Sequence, residues 1–227
     1  MPEPPDVLIH LVTDRHRLCP QAAAWPDVAA ALERQAGDAA EAGVSVLQLR
    51  ERDLDAGRLA DLTGALQRRV EGSSTIVVVN DRADVALAAG AGGVHLRTHG
   101  PDISGVRAIG PRGWMVGRSV HSAPDIAAHQ DADYLLFGTM FPSRSKPGQT
   151  GQGAQALALA VAAGRVPIVA IGGISPDRAE ACARAGAAGV AAIGLFLRAG
   201  LEPESLGVRE AVRALREAFD RGRSSVE

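Results

Sequence analysis

Short runs of branched apolar residues recur along the chain, each closed by polar or glycine positions and followed by an alanine- and leucine-rich stretch with helical spacing. Val7 to Val12 stops at Thr13-Asp14, and Trp25-Pro26-Asp27 opens a helix running to about Ala42. Gly43 ends that helix; Val44 to Leu49 follows as a strand, then a helix from about Ala56 to Val70. Thr75 to Val79 is the third run, ending in Asn80-Asp81-Arg82 before a helix over Ala83 to Ala89. Gly93 to Leu96, Met115 to Gly117, Tyr134 to Phe137, Ile168 to Ile171 and Val190 to Ile193 supply five more strands. The runs are continuous rather than alternating, as in parallel strands covered on both faces.

An internal echo supports a count of eight strand–helix units. Ala89-Gly90-Ala91-Gly92-Gly93-Val94 is answered 96 positions later by Ala185-Gly186-Ala187-Ala188-Gly189-Val190, Gly186 standing to Gly90. That offset is four units of about 24 residues. A single α/β domain over 1–227, a closed (β/α)8 TIM barrel, is expected; a doubly wound open sheet shows the same local alternation and stays the alternative. A last amphipathic helix, about Leu206 to Phe219, closes the barrel, and 1–6 and 221–227 are expected to be flexible.

Composition narrows the function classes. Lys+Arg 24 against Asp+Glu 26 leaves no excess that favours nucleic acid or a membrane surface, so a small-molecule substrate is the default. Cys19 and Cys182, without partners at metal spacing, read as free thiols of a reducing compartment, which implies the cytoplasm. No window is apolar enough for a transmembrane helix. The oligomeric state stays open, a homodimer among the options.

In a barrel the chemistry sits at the carboxyl ends of the strands. The seventh run ends in Gly172-Gly173, and Ser175-Pro176-Asp177 then starts a helix, so backbone N–H groups converge on an anion site. The alternative is an ordinary strand-to-helix turn that needs glycine. Gly194, at the end of the eighth run and before a short helix over Leu195 to Arg198, adds a second wall where backbone can approach a phosphate. His121 lies just past the fifth strand, where a neutral imidazole can take and return a proton; Ser122 and Asp125 also make it a helix-start residue. Ser119 shares that strand end. His95, inside a strand, reads as a hydrogen-bonded histidine of the core or rim. Arg50 and Arg52 extend from the second strand to one side, with Glu51 turned the other way toward a helix. Lys146 sits in the long loop Phe141 to Gly153, either a lid carrying an ammonium to a substrate anion or a solvated loop.

Leu11-Val12-Thr13-Asp14, Gln48-Leu49-Arg50-Glu51, Asn80-Asp81-Arg82, Gly93-Val94-His95-Leu96, Ser119-Val120-His121, Phe137-Gly138 through Lys146 and Ile168 to Ile174 together resemble the motifs, in order, of the thiamine phosphate synthase superfamily, which includes TenI-like thiazole tautomerases. For a synthase, the resemblance implies coupling of hydroxymethylpyrimidine diphosphate with thiazole phosphate, with Mg2+ held by two carboxylates. Asp81 matches the first. The second belongs to a Gly-Gln-x-Asp segment, where this chain reads Arg97-Thr98-His99-Gly100; Asp102 comes two positions late, and Arg52 stands where lysine is usual. For a tautomerase, the resemblance implies a metal-free proton transfer that aromatises a dihydrothiazole carboxylate phosphate. His121 would shuttle the proton, Gln48, Arg50, Arg52, Asn80, Ser119 and Lys146 would bind substrate, and Gly172, Gly173 and Gly194 would hold its phosphate, with no cofactor. The missing carboxylate favours the tautomerase. The synthase, and a non-catalytic protein that binds thiazole phosphate for regulation, are the alternatives.

Overall fold

The computed structural model describes residues 7–21, 24–144, 148 and 150–224. Strand β1 (Leu8–Val12) is followed by α1 (Arg15–Leu18) and α2 (Trp25–Ala42), then β2 (Val46–Leu49), α3 (Ala56–Val70), β3 (Ile76–Asn80), α4 (Ala83–Ala88), β4 (Gly93–Leu96) and α5 (Ile103–Ile109). The second half runs β5 (Met115–Val120), α6 (Ala123–Ala128), β6 (Tyr134–Gly138), α7 (Gly153–Ala162), β7 (Ile168–Ile171), α8 (Pro176–Arg184), β8 (Gly189–Ala192), a 3-10 turn over Gly194–Phe196, and α9 (Val208–Ser224). Each strand pairs in parallel with the next, and β8 pairs with β1, closing a (β/α)8 barrel and removing the open-sheet alternative.

Alternation along the strands sorts two cores that the continuous apolar runs conceal. One set of positions, including Ile9, Leu11, Leu47, Leu49, Val77 and Val79, joins the main core with buried helix residues such as Leu32, Leu62 and Leu66. The other set includes Tyr134, Leu136, Val169 and Ala191, a separate small cluster backed by Leu8, Met115 and Ile171. Beside it His10, Gln48 and His95 are buried. Polar groups in such a place must find partners in one another.

Several boundaries differ from the sequence expectation by a residue or two, and three differences change the picture. β5 runs on to Val120, so Ser119 lies within a strand. Asp14 caps the short α1, accepting from the Arg17 amide. Helix α9 continues to Ser224 instead of fraying from 221: Phe219 and Gly222 are buried, and Arg221 pairs with Glu180 of α8 at 3.1 Å. Residues 1–6 and 225–227 lie outside the described residues. No helix among the described residues is long and apolar enough to cross a membrane.

Candidate active site

A cavity of about 360 Å³ opens at the carboxyl ends of the strands. Gln48, Arg50, Arg52, Asn80, Ser119, His121, Gly172, Gly173 and Gly194 all line it, although they come from five different strand ends. Lys146 lies outside the described residues. Asp81 stands behind Asn80.

A chain of polar side chains runs from the barrel interior to the rim. His10 Nε2 meets Gln48 Oε1 at 3.0 Å, Gln48 Nε2 donates to Asn80 Oδ1 at 2.7 Å, and Asn80 Nδ2 donates to Asp81 Oδ2 at 3.0 Å. Asp81 Oδ1 accepts from the Arg97 amide at 2.8 Å, which carries the chain onto the loop after β4. Since the Gln48 oxygen can only accept, His10 carries its proton on Nε2 and leaves a buried, unpartnered Nδ1. Burial pushes the His10 pKa down to about 3, so the ring is neutral. His95 is also held well below its ordinary value by burial; Nε2 meets Ser119 Oγ at 2.8 Å and Nδ1 meets the Tyr134 hydroxyl at 3.1 Å. It is the hydrogen-bonded interior histidine anticipated from its place in a strand, and its ring also borders the cavity.

The guanidinium groups of Arg50 and Arg52 make no hydrogen bond or ion pair to another described residue. Burial, with the neighbouring Arg52 charge, lowers the Arg50 pKa. Glu51 points away, accepting from Thr13 Oγ1 at 2.7 Å, the Arg15 amide at 3.1 Å and the Arg15 guanidinium at 3.1 Å. Two guanidiniums in a cavity, one partly desolvated and with carboxylates only at a distance, make this end of the cavity favourable for an anion.

Across the barrel, Gly172 (φ 104°) and Gly173 (φ 63°) adopt backbone conformations that side chains disfavour. A Cβ there would lie 2.7 Å from Thr139 Cγ2 and 2.5 Å from the Pro142 carbonyl, so the two glycines also seat the loop after β6. The glycines are thus required by the turn itself, and the same backbone borders the cavity. Ser175 caps α8, accepting from the Arg178 amide at 3.4 Å, with Pro176 in the first turn. Arg178 borders the cavity and donates to the Gly173 carbonyl at 2.7 Å. A cation in a helix's first turn opposes the helix dipole, and this was the signal in the sequence that could have pointed to Arg178.

Gly194 lines the cavity and also makes room for charged side chains. A Cβ at this position would fall 2.6 Å from Arg17 Nη2 and 2.6 Å from Glu204 Oε1, so the space beside it is taken by an ion pair. Arg17 is held by Glu202 at 2.5 Å and Glu204 at 3.3 Å. Nothing in the sequence links residues so far apart. The structure alone brings them together.

His121 is the helix-start residue anticipated, and its ring also reaches the cavity. Its amide donates to Asp125 Oδ2 at 3.1 Å while Ser122 Oγ accepts from the Asp125 amide at 3.3 Å, a reciprocal helix cap. Its ring borders the cavity, with Nδ1 donating in a short hydrogen bond to the Gly138 carbonyl. That bond leaves Nε2 as the acceptor.

The residues present do not fit a two-carboxylate magnesium site. No group of three or more His, Cys, Asp and Glu side chains that could hold a metal ion occurs among the described residues. Both Asp81 oxygens already accept hydrogen bonds, and Arg97 Nε lies 3.9 Å from Oδ2. Asp102 sits at the N-cap of α5 and does not border the cavity.

A family model described as thiamine monophosphate synthase matches residues 11–196. The chain is 36% identical over 213 residues to a putative thiamine-phosphate synthase of Geobacter sulfurreducens, covering 92% of this chain and 93% of that protein. It is 38% identical to a thiamine-phosphate synthase of Chlorobium limicola, over 82% of this chain and 89% of the relative. Among solved structures, a thiamine phosphate pyrophosphorylase from Pyrococcus furiosus superposes with a TM-score of 0.77 at 27% identity, covering 96% and 97% of the two chains.

Proposed function

The chain belongs to the thiamine monophosphate synthase family, and within it we propose that the protein is a transferase that joins a pyrimidine diphosphate to a thiazole phosphate, releasing diphosphate. The observation that carries this reading is a cavity with two ends suited to anions. Unpaired Arg50 and Arg52 stand at the end of β2, and the Gly172-Gly173 turn with the start of α8 stands across the closed barrel at β7. The names of the relatives support coupling over the tautomerisation that the missing carboxylate favoured.

The reaction needs little of the protein beyond position and charge. The bond between the pyrimidine methylene carbon and the diphosphate oxygen breaks, its electron pair leaving with the diphosphate. The thiazole nitrogen lone pair forms the new bond, and no proton has to move. Arg50 and Arg52 hold the departing anion, Gln48 and Asn80 keep that rim in register, and the β7 turn anchors the phosphate of the acceptor. His121 then serves as wall and cap, not as a base.

One observation favours the second reading, metal-free tautomerisation of a dihydrothiazole carboxylate phosphate: the His121 ring reaches the cavity with Nε2 available as a base. The full chain given the pyrimidine diphosphate and thiazole phosphate is expected to form thiamine phosphate. Aromatisation of the dihydrothiazole without any coupling would overturn the transferase in favour of the tautomerase.

A further inference from the structure

We infer that the rim at the ends of β2, β3 and β4 binds a diphosphate without a divalent cation, Arg97 joining Arg50 and Arg52 to supply the positive charge. This inference rests on the transferase reading for the identity of the anion.

Asp81 is the carboxylate best placed to hold a cation at this rim, and it is committed elsewhere. Its two oxygens accept from the Asn80 amide group and from the Arg97 backbone, so it fastens the loop after β4 to the end of β3. The same fastening sets the Arg97 side chain at the mouth of the cavity, with Nε 3.9 Å from Asp81 Oδ2. A dication placed against that carboxylate would meet a guanidinium at close range, and Arg50 and Arg52 line the same cavity. Like charges at such distances repel most where water is partly excluded.

The loop geometry points the same way. Gly100 closes a tight turn, its amide donating to the Arg97 carbonyl at 3.0 Å, and a Cβ at 100 would lie 3.1 Å from that carbonyl. A carboxylate at this position would press on the turn that presents Arg97. The Arg97 side chain is mostly exposed, at 70%, and so can turn toward an anion. A guanidinium pairs with phosphate oxygens through a planar fork of donors, which suits it to a diphosphate.

The test is calorimetric titration of the full chain with inorganic pyrophosphate, in EDTA and in excess magnesium. Metal-free binding is expected, and excess magnesium, which complexes pyrophosphate, is expected to weaken it by about threefold or more. Arg97→Ala is expected to weaken binding in EDTA by about tenfold, and Arg97→Lys by less. Thermal melts establish that each variant is folded. Pyrophosphate binding that requires magnesium, or a folded Arg97→Ala protein that binds as tightly as the parent in EDTA, would overturn the inference. A parallel coupling assay in EDTA separates it from the transferase reading. Metal-free pyrophosphate binding without coupling supports the site and removes the transferase; coupling and pyrophosphate binding that both demand magnesium remove the site and leave the transferase.

Discussion

Gln48 and Asn80, 32 positions apart in the chain, meet side chain to side chain at 2.7 Å across the seam between β2 and β3. Through this contact the buried His10 is joined to Asp81 and the loop that carries Arg97. The anion-binding rim is thus held from the barrel axis, and groups on three successive strand ends keep a common geometry.

Gln48→Leu removes the centre of that chain and leaves the His10 Nε2–H and the Asn80 Oδ1 without partners. The orphaned His10 donor is fully buried and costs about 1–3 kcal/mol; Asn80 is half-buried at the cavity and adds less. Denaturant unfolding should show that loss, and a higher KM for the diphosphate substrate should accompany it. A variant as stable as the parent would mean that the chain contributes nothing to the fold.

His121→Ala separates the two chemical readings. Coupling moves no proton, so thiamine phosphate formation is expected to fall by no more than about tenfold, through the lost wall and the lost bond to the Gly138 carbonyl. A proton shuttle would cost about 10²–10⁴ in rate. Steady-state kcat measurements decide, and a loss in the larger range would speak for the base.

Gly173→Ala puts a side chain at φ 63° and a Cβ 2.5 Å from the Pro142 carbonyl. The backbone conformation alone costs about 1–2 kcal/mol, and the loop after β6 must shift. The melting temperature should fall, and KM for the phosphate-bearing acceptor should rise more than kcat falls. Unchanged values for all three would show that the turn neither strains nor holds a phosphate.

Acid should destabilise the protein through its interior histidines. Below the ordinary histidine pKa of 6.5 the unfolded chain takes up a proton at residue 10, while folded His10 stays neutral down to about 3. The unfolded state then binds more protons, so stability rises with pH across this window and is lost as pH falls through it. Between pH 7 and pH 5 His10 alone should account for about 2 kcal/mol, and His95 adds to the slope. Denaturant unfolding of His10→Gln across that range should give a flatter profile; a profile parallel to the parent's would exclude His10 as the cause.

Much of the site was legible because barrel chemistry collects at strand ends, and those ends can be read wherever an apolar run meets polar residues. Gln48, Arg50, Asn80, Ser119 and His121 emerged this way, and all of them line the cavity. Arg178 carried a weaker mark, a cation in the first turn of a helix. Arg17 and Glu202 carried none, because their pairing depends on β8 lying beside β1.

The sequence by itself determined the eight-fold alternation, the glycine turn after β7 and the polar residues at the strand ends, since each follows from local periodicity and backbone preference. Tertiary structure decided what closure creates. It separated continuous apolar runs into an outer core and an interior that buries His10, Gln48 and His95. It gave the space beside Gly194 to an ion pair. It also made Asp81 the anchor of the loop that carries Arg97, because a carboxylate's partners are set by the donors that folding brings to it.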